Sequence, residues 1–259
     1  MAETNKSLYL SEFLFYVGFK TSKEKFDAFV LPDKIKTCAY QAYLDFCRTV
    51  KYDHYKKTTT GEYIINGKKK IKYNDKDWKK QTNQLLELFF IGDDKKFPQF
   101  KGLIAGIKAL LNAANRVEYD NRHKSLCNSL CTIKHSILEK RLTIGKAQKW
   151  VNMTMKYLWM LDLVECDSAF LHIPIDNYVL GELKQTIDDS DKLIKIVGKQ
   201  YFVIDKKSKK SYKWSNVSDY ETGYFPIQEA IRVKKQCPIE WEFSAWLEAA
   251  QKEIIKEND

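Results

Sequence analysis

Apolar side chains recur three and four positions apart through most of this chain, the spacing that lines one face of an α-helix. Residues 8–18 give one such stripe, and 36–50 give another through Ala39, Ala42, Tyr43 and Phe46. Residues 75–91 bring Trp78, Leu85, Leu86 and Phe89 to one side, 100–115 are rich in alanine and leucine, and 122–140 form a further candidate helix. Two segments break the period. Residues 62–73 alternate around Asn66-Gly67, a pair that suits the positive φ values of a tight hairpin turn. Residues 200–214 read as strand, basic turn, strand, and lysines cluster at both tips, where they keep edge strands soluble. The expected fold is mainly α, with two small β-hairpins. It forms one compact domain over 1–259, in two lobes (about 1–120 and 121–259) around a cleft.

With 259 residues, 44% of them hydrophobic, the chain can bury a substantial core. Its net charge of +10 favours contact with phosphate, although a lysine-rich composition accounts for the same number without any partner. Residues 1–7 are polar and carry Glu3, which is not the order of a secretory signal. No apolar run approaches the ~18 residues that span a bilayer. A soluble, cytoplasmic protein with no membrane partner is expected. Six cysteines are scattered through the chain, Cys127 and Cys131 four apart, without histidines at ligand spacing. They are expected to be free thiols, with no metal and no cofactor.

Residues 141–180 carry the chemistry. Thr143 is placed to cap a helix running to about 161, with Ile144, Ala147, Val151, Met155 and Leu158 as its buried stripe. Lys149 and Lys156 lie seven residues apart, two turns along one face, with Asn152 beside them. A solvated polar face explains most such strips. Here Trp150, Met153, Tyr157 and Trp159 make the helix apolar over most of its circumference, so its lysines are expected to be partly enclosed. Burial disfavours the charged form of an amine, and a neutral amine is a nucleophile. After a loop, Pro174 sets an extended entry and Asp176 is placed to cap a helix starting at Asn177.

Lys149-Trp150, Lys156 and Pro174-Ile175-Asp176 together resemble the helix–hairpin–helix DNA glycosylases, most closely the archaeal 8-oxoguanine DNA glycosylase branch. The likeness covers about forty residues. It implies a helix–hairpin–helix glycosylase fold and excision of an oxidised or otherwise modified base, with strand cleavage through a lysine Schiff base. The partner would be double-stranded DNA with one base flipped out, and the protein a monomer. On that pattern Lys149 attacks the sugar carbon and Asp176 assists. Lys156, Asn152, Trp150, Trp246 and Trp241 would contact the extruded base, and Gly145, Lys146 and Arg141 the DNA backbone.

The sequence departs from the family in places. Only Gly145 stands where two glycines usually flank a small residue, Asn177 follows the aspartate, and the iron–sulfur cysteines are absent, as they are in the archaeal branch. Trp78 is a further stacking candidate, although aromatics at helical spacing are more often core. Two other readings remain. One is a non-enzymatic DNA-binding module. The other is a HEPN-type ribonuclease, whose Arg-then-His spacing Arg116 and His123 meet at its upper limit, with Val117 departing from the pattern.

Overall fold

The computed structural model describes residues 2–50, 56–57, 63–65, 69–71, 75–92, 101–186, 194–197, 200–205 and 208–258. The protein is mainly helical. Its organising element is α7 (Ile144–Met160), which is apolar around most of its surface and is enclosed accordingly. Thr143 caps α7, its hydroxyl accepting from the Lys146 amide. Ile144, Ala147, Val151, Met155 and Leu158 are all buried. α3 (Leu31–Phe46) packs along α7, and α4 (Asp75–Ile91) closes the other side of the contact. Trp150 lies at this junction. Its ring is ringed by Tyr43, Phe46, Phe89 and Phe90 at 5.3–5.8 Å, and its indole N–H donates to the Ala39 carbonyl at 2.8 Å. A buried indole with its N–H satisfied fixes both the depth and the rotation of the helix that carries it.

α1 (Ala2–Phe19) and α2 (Lys23–Asp27) precede α3, and α5 (Gly102–Leu111) follows α4. Gly102 has φ +77°, and a Cβ there would stand 2.4 Å from the Phe90 carbonyl oxygen, so the α4–α5 junction requires glycine. α6 (Arg116–Thr132) begins six residues before the expected 122 and ends eight before 140. The cause lies at its start: the Asn115 side chain accepts from the Glu118 amide, and Glu118 reaches back to the Ala114 amide. A lobe boundary at about 120 would fall inside this helix, and the hydrophobic core runs without a break from Phe26 to Ile239.

Strands β1 (Lys56–Lys57), β2 (Tyr63–Ile65) and β3 (Lys69–Ile71) form one antiparallel sheet, with Tyr63 opposite Ile71. After α8 (Asn177–Thr186), β4 (Ile194–Val197), β5 (Gln200–Asp205) and β6 (Ser208–Lys213) form a second, with Val197 opposite Gln200 and Asp205 opposite Ser208. The turns at 66–68 and 206–207, including Asn66-Gly67, lie outside the described residues. The outer strands β1 and β4 have no counterpart in the expected pattern. α9 (Phe225–Lys234) and α10 (Pro238–Asn258) complete the chain. Among the described residues, no helix is long and apolar enough to cross a membrane, no His/Cys/Asp/Glu group could hold a metal, and the six cysteines are free.

Candidate active site

The extended segment before α8 is held by two buried glutamines. Gln148 of α7 accepts from the Ile175 amide at 3.2 Å and donates to its carbonyl at 3.0 Å. Gln228 of α9 does the same for Ile173, accepting at 3.2 Å and donating at 2.8 Å. Each amide side chain mimics a neighbouring strand, so this buried backbone is paired without a sheet. Asp176 follows at once. Its Oδ1 caps α8, accepting from the Tyr178 amide at 2.9 Å and the Val179 amide at 3.0 Å. Its Oδ2 accepts from Lys149 Nζ at 2.7 Å. The Lys149 ammonium also lies 5.2 Å from the centre of the Trp214 ring.

The pair opens on a cavity of about 590 Å³ between α3, α7, α8 and α10. That volume falls within the ~300–1,000 Å³ of small-ligand sites. One face of α7 supplies Lys149, Met153, Lys156, Tyr157 and Met160. α10 supplies Glu242, Phe243 and Trp246, and α3 supplies Leu44 and Asp45. The walls are thus aromatic and apolar, with charged groups converging at the base.

Two further charge arrangements lie in these walls. Lys156 Nζ stands 2.6 Å from Glu242 Oε2, a close contact that is poorly aligned as a hydrogen bond. Tyr157 donates to Asp45. Burial pushes the Glu242 carboxyl up, against the opposing pull of Lys156. It likewise raises Asp45, against the bond from Tyr157 and the charges of Lys149 and Lys156. Exposure separates the two lysines. The Lys156 and Glu242 side chains are 6% and 3% exposed, against 13% and 17% for Lys149 and Asp176. The deeper pair is a nearly buried strut in the cavity wall, and the shallower one is the more accessible to a ligand.

Of the residues singled out from sequence, Lys149, Asp176, Lys156 and Trp246 meet at this cavity. The others do not. Trp150 is locked in the core. Asn152 is fully buried, donating to Tyr224 and the Ile173 carbonyl and bonded to His123, so it cannot face a base. Trp241 packs instead under Lys235, 5.4 Å from its ammonium. Gly145 has a different role from phosphate binding. Its amide donates to the Val217 carbonyl at 3.0 Å, and a Cβ there would overlap the Trp214 carbonyl oxygen at 1.6 Å. The start of α7 is covered by protein, and the Lys146 side chain is buried with it. Arg141 is exposed in the loop before α7, away from the cavity lining. The Trp78 side chain lies outside the described residues.

Sequence reading missed Asp45, Tyr157, Glu242 and Phe243. Glu242 had a signal, since it stands one helical turn from Trp246. Trp241 is five positions from Trp246, about 140° around the helix. Arg116 and His123 do not converge on a cleavage site. Arg116 pairs with Glu229 at the surface, whereas His123 is sealed, with Nδ1 2.8 Å from the Tyr220 hydroxyl and Nε2 2.7 Å from Asn152 Oδ1. Burial holds His123 well below the usual imidazole range, and it holds His172 down at about 4 against the pull of Asp120.

Comparisons with protein-family models, with curated proteins and with solved structures give no match to this chain.

Proposed function

We propose that this chain is a DNA base-excision glycosylase with lyase activity, acting on an oxidised or otherwise modified base, with Lys149 as nucleophile and Asp176 as its proton partner. The observation that carries the reading is the Lys149–Asp176 contact of 2.7 Å at the floor of an aromatic cavity large enough for a flipped base. The resemblance to helix–hairpin–helix glycosylases adds support, as does the net charge of +10.

The steps balance as follows. Lys149 passes a proton to Asp176 Oδ2, and the freed amine attacks C1′ of the flipped nucleotide. The C1′–N bond breaks, and the departing base takes a second proton from the attached nitrogen. Asp176 then returns its proton to O4′ as the sugar ring opens, leaving a lysine Schiff base. Trp246, Phe243 and Tyr157 line the cavity and would stack on the base, and Lys156–Glu242 ties α10 to α7 behind them.

The test is borohydride trapping on duplex and single-stranded DNA carrying an abasic site or 8-oxoguanine. The wild type should give a covalent adduct and Lys149→Gln should give none. No adduct, together with no base release from a panel of modified bases, would remove the excision reading. Salt-dependent binding without chemistry would then leave a DNA-binding module.

A further inference from the structure

A second cleft of about 810 Å³ adjoins the candidate site, and we infer that it seats the neighbouring nucleotide of the same strand, unstacked, so that the chain grips single-stranded or locally opened DNA. This rests on the excision reading for what occupies the first cavity. The two spaces share α3: Tyr40 and Gln41 line the second cleft, and Leu44 and Asp45 line the first. They also share a wall. Phe19 faces the second cleft and meets Tyr157, which faces the first, edge-on with ring centres 5.6 Å apart.

On α3 the nearest lining residues of the two spaces, Tyr40 and Gln41 against Leu44 and Asp45, lie one helical turn apart, so the seats are neighbours but separate. Stacked bases on one strand rise only ~3.4 Å, so bases in adjacent seats are drawn apart with the Phe19–Tyr157 ridge between them. The chemistry of the second cleft suits a nucleotide. Phe29 and Tyr40 offer ring faces, and Lys20, Lys25 and Lys36 offer cations. Lys36 is already paired with Glu87 at 2.6 Å, whereas among the described residues Lys20 and Lys25 have no carboxylate partner. Ring faces beside cations are how sequence-tolerant proteins hold an unstacked strand. Asp33 and Glu87 on the same lining disfavour a run of phosphates and leave room for one, with acceptors for base N–H groups.

Lys20 supplies a separate argument. It follows α1 with φ +56°, its amide donating to the Tyr16 carbonyl at 2.8 Å. Glycine is the favoured residue at such a helix end. The chain instead keeps a long cation in a strained backbone position, and that cation reaches the cleft.

Binding of labelled dT8 and of a blunt hairpin duplex, read by fluorescence anisotropy over a salt series, tests the inference with wild type, Lys20→Gly and Tyr40→Ala. Wild type should prefer dT8. Lys20→Gly should raise the melting temperature yet weaken dT8 binding, lowering the slope of log K against log salt by about 0.7. Tyr40→Ala should cost about tenfold in affinity with little change in that slope. Duplex preference in wild type, or variants that bind dT8 as wild type does, overturns the inference. Adduct trapping is read separately on the same proteins. Loss of dT8 binding in both variants with no adduct from wild type sinks the excision reading and keeps the strand seat. An adduct with unchanged dT8 binding does the reverse.

Discussion

Gln148 grips both backbone groups of Ile175, and each of these residues stands one position before a member of the Lys149–Asp176 pair. The amide clamp is thus a spacer that fixes α7 against the segment leading into α8. All its hydrogen-bonding capacity is used, since Gln148 also donates to the Gly145 carbonyl and accepts from Asn152. Replacing it by Leu leaves the Ile175 amide and carbonyl buried without partners. The expected loss is about 2–3 kcal/mol of stability by urea unfolding. Adduct yield should fall further than the folded fraction does. A stable Gln148→Leu protein that traps DNA as well as wild type would show that the clamp does not position the pair.

Asp176 holds its helix with one oxygen and Lys149 with the other, so two substitutions separate its roles. Asn still caps, and Asp176→Asn should keep stability within about 0.5 kcal/mol, whereas Asp176→Ala should lose about 1 kcal/mol more. Both should slow Schiff-base formation ~10²-fold or more, the usual worth of a placed proton acceptor. Single-turnover trapping at fixed pH measures this. Wild-type rates in Asp176→Asn would move the proton to another group.

The nearly buried Lys156–Glu242 pair predicts a double-mutant cycle of marked asymmetry. Lys156→Met alone strands a buried carboxylate and should cost about 3–5 kcal/mol, while Lys156→Met with Glu242→Leu should recover most of the loss. Glu242 titrates above the ordinary carboxylate value because it is buried. A raised folded-state value means that this group's own contribution is full below its unfolded value and is lost as pH rises through the folded one. In Lys156→Met that decline should steepen. Equal losses in the single and double variants would show that the ion pair is not the source of the effect.

Acid should loosen the protein in two stages. His172 titrates at about 4 in the folded state against 6.5 unfolded, and His123 well below 6.5, both because burial opposes charge. The unfolded chain then binds more protons as pH falls, so stability is full above 6.5 and is lost from there down towards 4. Each imidazole contributes about 1.4 kcal/mol per pH unit within its window. Burial works against ionisation of Asp120, yet bonds from His172 and Arg232 hold it at about 2, so its own contribution is lost only below the usual 3.8. Melting temperatures across pH 3–8 should fall in that order. A flat profile between 6.5 and 4.5 would exclude the buried histidines as the cause.

Local signals were readable in the sequence where a feature depends on neighbours in the chain. The Thr143 and Asp176 caps, the apolar stripe of α7, and the shared face of Lys149 and Lys156 all depend on spacings of seven residues or fewer. The same spacing misplaced Asn152, because what buries it is His123 from α6 and Tyr224 from the turn before α9. Gly145 is a similar case. Its need for glycine comes from the Trp214 carbonyl, about seventy residues on, and not from any ligand. Asp45 and Glu242 reach the cavity only through the packing of α3 and α10, which no local period records.

The rings around Trp150 make the two sides of the cavity unequal in stiffness. On the α7 side, Lys149 adjoins Trp150, which is wedged among four rings, so the depth and rotation of the helix that carries the amine are set by the core. On the α10 side, Trp246 is 47% exposed and has room to turn. The Lys149 amine is therefore the datum of the cavity, and differences in the shape of a guest fall to the Trp246 side chain on the opposite wall.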